Sequence, residues 1–263
     1  MQGTRLSIWR SAVTAYRDAS HALWAMPLLT GVAFLVSLAE GWAFQGLRIL
    51  SLKLDVSQLL MTMIVLLASF WRTPILIAVH RFVLLEEVTP SYRFDLSDPR
   101  FRRFLGWLLT IALVPLLATW FVALDRQANP SVVSQTLRLA LIILRLALII
   151  LMIVGLVFTL RLTILLPAIA VDAPGASWRS AYKDTRGHVS RIIGIVLLAA
   201  LPVLSLSMLL RHAAPVSAAS FTPLAIGSRI LNTSINVFCT IALVAIVSRV
   251  YQRIGDRVNQ RVG

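Results

Sequence analysis

Four arginines of this sequence lie within or beside long apolar runs, which makes them the first candidates for chemistry. They are Arg72, Arg145, Arg161 and Arg249. A guanidinium group carries its N–H donors in a planar fork and stays protonated, so it binds phosphate and carboxylate groups through two parallel hydrogen bonds. In an apolar setting such a group is costly unless it has a partner or reaches water. We therefore predict that these residues bind an anion, such as the headgroup of an anionic lipid.

Residues for catalysis or metal binding follow no recognisable pattern. The sequence has no G-x-S-x-G, no H-E-x-x-H, no P-loop and no dinucleotide fingerprint. His80 lies near Glu86 and Glu87, but this local group offers too few ligands for a metal site. Cys239 is the single cysteine, which excludes a thiolate metal site within one chain. We expect no catalytic residue, no cofactor and no metal.

A long apolar run from Leu137 to Val171 must position two of the four arginines. Between residues 139 and 160 its only charged residue is Arg145. Because about 20 apolar residues cover a hydrocarbon layer of about 30 Å, the run predicts a membrane-spanning helix. Arg161 lies 23 residues after Arg138, or about 35 Å along a helix, which predicts that it lies at headgroup level. Arg145 either extends its side chain to the outer boundary or lines a site for an anion.

The composition is that of a polytopic membrane protein. The chain is 58% hydrophobic and 14% charged, and its net charge of +14 comes almost entirely from arginine. Most of these cations lie just outside apolar runs, where they meet anionic lipid, so nucleic-acid binding is not expected. We predict an all-α membrane bundle of six transmembrane helices. The predicted spans are at about 22–38, 59–79, 104–124, 137–166, 192–210 and 230–247.

The distribution of Lys and Arg near the span ends predicts the orientation. The N-terminal segment, the 80–103 and 167–191 loops and the C-terminal tail carry most of these cations, and the other three loops carry few. Both termini are therefore predicted to be cytoplasmic. The predicted first span ends at Leu38, no acidic residue lies deep inside any predicted span, and no intramembrane salt bridge is expected.

The segments outside the spans also carry helix signals. Residues 1–21 predict an amphipathic helix on the membrane surface with an apolar face at 8, 9, 12, 13, 16 and 19, although a frayed lead-in to the first span is an alternative. Asp98 followed by Pro99 predicts the start of a helix that runs into the third span. Ser177 predicts the cap of a short helix that ends at Gly187. The membrane domain covers residues 22–250, and 251–263 form a basic tail.

An internal repeat is the remaining pattern. Arg72 begins RTPILIAVH, and Arg161 begins RLTILLPAI 89 positions later. Arg103 and Arg191, 88 positions apart, are each followed by a glycine three residues on and by a proline in the next span. Arg249 follows Arg161 by 88 positions, which suggests a third copy split between the two termini. Chance is the alternative, because arginines that follow the positive-inside rule align in part anyway.

The second half of the chain resembles a known group of membrane proteins. An arginine-bearing apolar helix leads into RLTILLPAIAVD, then into SWRSAYKDTRGH, then into a new span. This arrangement is similar to the YciC-like inner-membrane family and to the membrane domain found beside glycerophosphodiester phosphodiesterases. The resemblance implies a bacterial inner-membrane bundle that handles lipid, and it carries over no catalytic residue.

These observations favour a non-enzymatic integral membrane protein that binds lipid, or that serves as a subunit or assembly partner of a larger membrane complex. Anionic membrane lipids are the expected partners, with a membrane-protein partner or a second copy of the chain as further possibilities. The alternative is a transporter or permease for an anionic or amphiphilic substrate, in which Arg72, Arg145 and Arg161 face a cavity. The surroundings of these arginines distinguish the two.

Overall fold

The computed structural model describes residues 8–50, 53–127, 135–213 and 222–255, which form α-helices and no strand. The predicted all-α class is therefore confirmed. In the described residues the helices are α1 (Ile8–Ala25), α2 (Pro27–Ile49), α3 (Leu54–Leu85), α4 (Pro99–Gln127), α5 (Gln135–Leu162), α6 (Leu165–Ala170), α7 (Trp178–Asp184), α8 (Val189–Ala213) and α9 (Pro223–Ile254).

Five helical segments of the described chain are long and apolar enough to cross a membrane. They overlap with five of the six predicted spans, and the predicted third span, at 104–124, has no counterpart among them. That segment lies in α4, a continuous helix of 29 residues with three arginines among its first five positions. The five segments are Pro27–Leu47, Val56–Leu85, Ile142–Ala170, Val189–Leu209 and Pro223–Ile254.

The first of these helices is displaced from the predicted span at 22–38. The helix α1 continues through Ala25, and α2 begins at Pro27 and continues to Ile49, so residues 39–49 are helical where a loop was predicted. Proline suits the first position of a helix because no intrahelical donor is needed there. The carbonyl of Leu23, which Pro27 cannot bond, accepts instead from the hydroxyl of Thr30 at 3.3 Å.

The predicted fourth span, at 137–166, is not one continuous helix. The helix α5 ends at Leu162, and a two-residue turn separates it from α6. Pro167 explains the turn, because it has no N–H to donate to the carbonyl of Thr163. That carbonyl accepts from the N–H of Leu166 at 3.3 Å instead. Five of the six residues of α6 are buried, so this short helix belongs to the core.

The predicted N-terminal helix is present as α1, and it packs against α8 and α9. Val13, on the predicted apolar face, is half exposed, while the buried face consists of small side chains that allow close approach. Tyr16 donates its hydroxyl to the carbonyl of Ala199 on α8 and stacks on Phe238 of α9 at 5.8 Å. Burial raises the pKa of Tyr16, so the donor stays protonated. The buried alanines are Ala15, Ala19 and Ala22.

The buried core of the described residues lies at one end of the bundle. It is formed by the second halves of α3 and α9, the first turns of α4 and α8, the whole of α6, and α1 with the start of α2. At its centre the Nδ1 of His80 lies 2.7 Å from the Ser248 hydroxyl, and the His80 ring lies 5.8 Å from that of Phe104. By contrast, no residue in the most apolar window of α5 is buried. The core therefore fixes the positions of side chains at the predicted cytoplasmic end.

Both predicted loop helices are confirmed. The helix α4 begins at Pro99, and Asp98 Oδ1 accepts a backbone N–H bond at 2.8 Å. The helix α7 is capped by the hydroxyl of Ser177, which accepts a backbone N–H bond at 3.2 Å. It ends at Asp184, three residues before the predicted end, and Gly187 adopts a φ of 83° in the turn that follows.

Candidate functional site

Arg72 is paired with an acid inside the bundle. Its Nη2 contacts the carboxylate of Glu40 on α2 and donates to the hydroxyl of Ser37 at 3.0 Å. The side chains of Arg72 and Glu40 are 27% and 15% exposed. Both residues lie within segments that can cross a membrane. The first helix extends past the predicted end at Leu38 and therefore carries an acid, Glu40, in a segment that can cross a membrane, where the sequence predicted none.

Arg249 is held by an acid from the N-terminal helix. Its Nε lies 2.6 Å from Oδ2 of Asp18, and its Nη2 lies 3.0 Å from Oδ1 of the same carboxylate. The Nη1 donates to the side chain of Gln252 at 2.9 Å. This planar two-bond pairing is the strong geometry for Arg with a carboxylate. It fastens α1 to α9 and commits the guanidinium to an internal partner.

Arg161 has no acidic partner among the described residues. Its guanidinium lies over the ring of Tyr182 at 4.4 Å, and its Nε is buried without a hydrogen-bond acceptor. Phe158, one turn earlier on α5, lies 6.4 Å from the same ring. Because no acid of the described chain neutralises its guanidinium, Arg161 is better placed than Arg72 or Arg249 to receive an external anion.

The short helix α7, whose Tyr182 contacts Arg161, also carries exposed aromatic and cationic side chains. Trp178 and Tyr182 are 44% and 40% exposed and lie four residues apart, on one face of the helix. Arg179 lies over the ring of Trp178 at 5.4 Å, and Lys183 is exposed one turn later. Aromatic and cationic side chains in this combination are typical of the membrane–water interface. We call Arg161, Trp178, Arg179, Tyr182 and Lys183 the Arg161 patch.

The three predicted anion-binding arginines whose side chains are described do not form one site. Arg72, Arg161 and Arg249 contact three different helices, namely α2, α7 and α1. Arg145 lies in α5, but its side chain is outside the part of the chain that the structure describes. Arg161 differs from Arg72 and Arg249 in that it has no acidic partner among the described residues.

Arginines from the predicted cytoplasmic loop hold the segment that follows α6. Arg81 donates to the carbonyl of Ala170 at 3.1 Å, and Arg103 donates to that of Ala176 at 3.0 Å. Arg100 is paired with Asp172 between them. Cations at the carboxyl end of a helix also interact favourably with its unpaired carbonyls. Sequence reasoning assigned these residues to orientation alone, whereas the structure uses them to fasten a backbone segment.

The residues near His80 do not assemble a catalytic or metal site. The His80 ring is buried beside Ser248, whereas Glu87 is paired with Arg81. Glu86 ends α3 in a left-handed conformation with a φ of 57°. Within the described residues no group of three or more His, Cys, Asp or Glu side chains is placed to hold a metal ion.

Sequence reasoning missed Glu40 and Asp18 as partners of the arginines. Ser37 and Glu40 are three residues apart and share a helical face, a signal that counts only if the first helix continues beyond residue 38. Asp18 is the single acid among residues 1–38, which marks it as the available partner for a cation at the same end of the bundle. The sequence therefore shows that both acids are present, but it does not show that they contact the arginines.

Two nine-residue segments have the same pattern of burial. Residues 72–80 and 161–169, which are 89 positions apart, alternate between partly buried and buried in an identical order. Phe104 and Ile192, 88 positions apart, are also both buried. After Arg249 the agreement ends within a few residues, because Gln252 and Arg253 are exposed.

Comparisons of this chain with protein-family models, with curated proteins and with solved structures found no match. The resemblance of its second half to the YciC-like family and to the phosphodiesterase-associated membrane domain therefore stays a prediction.

Proposed function

We propose that this chain is a non-enzymatic integral membrane protein that binds anionic lipid through the Arg161 patch. The observation that carries the proposal is the state of Arg161, whose guanidinium lies over the ring of Tyr182 and has no acidic partner among the described residues. Arg179 and Lys183 add two exposed cations on α7. A phosphate group at this position accepts charge-assisted hydrogen bonds from Arg161, which has no carboxylate acceptor among the described residues.

The surface next to the patch suits the acyl chains of the same lipid. Leu156 and Phe158, on the turns of α5 that lead to Arg161, are 53% and 41% exposed. Apolar side chains in this position contact hydrocarbon, while cations at the helix end reach the headgroups. We favour lipid binding over a permease because Arg72, Arg161 and Arg249 have separate partners on three different helices, α2, α7 and α1.

A lipid-binding experiment tests the proposal. We expect Arg161→Gln to weaken binding of phosphatidylglycerol about tenfold, since a hydrogen bond to a charged group contributes roughly 1.5 to 3 kcal/mol. Native mass spectrometry of the protein in detergent measures this, with phosphatidylcholine of the same chains as the zwitterionic comparison. The matched control is Arg191→Gln, an exposed arginine at the predicted cytoplasmic end of α8. Equal losses in the two variants, or equal binding of both lipids by the unaltered protein, contradict the proposal.

We also propose six spans, with both termini on the cytoplasmic side of a bacterial inner membrane. The six-span arrangement requires α4 to cross, and its continuous 29-residue length supports this. The identical burial of residues 72–80 and 161–169 supports a repeated hairpin, with α3 and α4 as one copy and α5 and α8 as the next. The burial pattern favours two copies over three.

The position of α4 can be tested by cysteine labelling in cells. If α4 crosses the membrane, the segments at 86–98 and 171–188 lie on the same side, and if it does not they lie on opposite sides. We expect Leu96→Cys and Lys183→Cys, each in a Cys239→Ser background, to be protected from an impermeant maleimide in intact cells. Both should react after permeabilisation. Reaction of only one of them in intact cells contradicts the six-span arrangement.

A further inference from the structure

A second possible ligand site lies between the predicted cytoplasmic ends of α2, α3 and α4. A cavity of about 360 Å³ is bounded there by these helices and by the 86–98 segment that joins α3 to α4. Its volume lies within the range of about 300 to 1,000 Å³ that is usual for small-molecule pockets. No residue of the Arg161 patch lines it.

The floor of the cavity is apolar. Leu29 of α2, Ile77 of α3 and Phe101 of α4 line it, together with Pro74. Leu29 and Phe101 are 2% and 4% exposed, so this side of the cavity is fixed by the packed core. An apolar group of a ligand would be removed from water by entering here.

The rim of the cavity is charged, and its acids are already engaged. Glu87 accepts from Arg81, and Asp98 accepts from the backbone N–H that begins α4. Asp95 accepts from both the N–H and the hydroxyl of Ser97, and these hydrogen bonds hold the pKa of Asp95 below its usual range. The acids of the rim therefore have internal donors.

Two of the three arginines that line the cavity, by contrast, retain donors without acceptors, whereas Arg81 donates to Glu87 and to the carbonyl of Ala170. Arg93 is exposed and has no partner in the described part of the chain. Arg100 is paired with Asp172 through Nη2, but its Nε is buried and has no hydrogen-bond partner. An oxyanion in the cavity can therefore accept from Arg93 and from the terminal donors of Arg100 that Asp172 leaves free.

We infer that this cavity binds an oxyanion attached to an apolar group, with a phosphate at Arg93 and Arg100 and the apolar group on the floor formed by Leu29, Ile77 and Phe101. Guanidinium groups bind phosphate through paired hydrogen bonds. The same chemistry is present in a phospholipid headgroup and in free phosphate, but the apolar floor favours the phospholipid. Because it shares no residue with the Arg161 patch, the site is independent of the proposed function.

Titration calorimetry of the full chain in phosphatidylcholine nanodiscs tests the inference with three probes. These are dihexanoyl phosphatidic acid, dihexanoyl phosphatidylcholine and inorganic phosphate. We expect the unaltered protein to bind the phosphatidic acid at least about tenfold more tightly than the other two, because neither of these combines an exposed phosphate with an apolar group. Equal binding of all three, or no binding of the phosphatidic acid, overturns the inference.

Two variants separate the rim from the floor. Arg93→Gln removes an exposed cation that has no described contact, and we expect it to weaken binding of the phosphatidic acid about tenfold. Ile77→Trp fills the floor and should abolish phosphatidic acid binding while leaving any binding of inorganic phosphate unchanged. Arg102→Gln on α4, an exposed arginine that does not line the cavity, is the control and should bind as the unaltered protein does. Unchanged binding in Arg93→Gln, or an equal loss in Arg102→Gln, overturns the inference.

Discussion

Replacing Arg72 with leucine is expected to lower the free energy of unfolding by about 3 kcal/mol, because Glu40 is left as an unpaired charge inside the bundle. The Glu40 side chain is 15% exposed, so water can compensate only in part. The double replacement Arg72→Leu with Glu40→Leu should recover most of this loss, since two apolar side chains replace the pair without an orphaned charge. Equilibrium unfolding in mixed micelles with increasing dodecyl sulfate measures Arg72→Leu, Glu40→Leu and the double variant.

A milder change in the same contact serves as the control. Ser37→Ala removes only a hydroxyl that accepts from Arg72 at 3.0 Å, so we expect a loss of about 1 kcal/mol. The pairing is contradicted if Arg72→Leu costs no more than Ser37→Ala. It is also contradicted if the double variant loses the sum of the two single effects, because coupled partners are non-additive.

The parts of the fold that were predictable from sequence are those with local causes. Asp98 with Pro99 and Ser177 begin helices because their caps bond backbone groups only a few residues away. Hydropathy placed five of the predicted spans near helices that are long and apolar enough to cross a membrane, but it could not place Pro27 as the start of a helix, since apolar residues continue on both sides of it. The turn before α6 was not predictable either, because a proline inside an apolar run can have two outcomes. The helix α3 continues through Pro74, whereas the helical run is interrupted just before Pro167.

The candidate site was predictable only as a set of residue types. Sequence spacing treats Arg72, Arg161 and Arg249 as equivalent, since each lies at a corresponding position after an apolar run. Their difference lies in partners that are remote in the chain, and Asp18 is 231 residues from Arg249. Only three-dimensional packing shows that two of the three arginines are neutralised and that Arg161 is not. Residues 72–80 and 161–169 share one pattern of burial, although Arg72 and Arg161, the first residue of each segment, have different partners.

Removing the carboxylate of Asp18 is expected to release α1 from α9. Asp18→Asn leaves the Arg249 guanidinium without its two charge-assisted bonds, and we expect a loss of about 2 kcal/mol in the free energy of unfolding. Arg249→Gln should cost a similar amount, and the double variant should cost little more than either single change. Hydrogen exchange monitored by mass spectrometry locates the effect. We expect the substitutions to speed up exchange of the amides of α1 and to leave that of the amides of α7 unchanged.

The same variants distinguish an internal clamp from a lipid contact. If Arg249 serves to hold α1, Arg249→Gln should weaken stability and leave phosphatidylglycerol binding unchanged, whereas Arg161→Gln should do the reverse. Exposed Arg253, four residues after Arg249 on the same helix face, gives the matched control, and Arg253→Gln should alter neither property. A loss of lipid binding in Arg249→Gln without faster exchange in α1 contradicts the clamp. We do not expect Arg249→Gln to lose lipid binding, because the Arg249 guanidinium already donates to Asp18 through Nε and Nη2 and has few donors left for a phosphate.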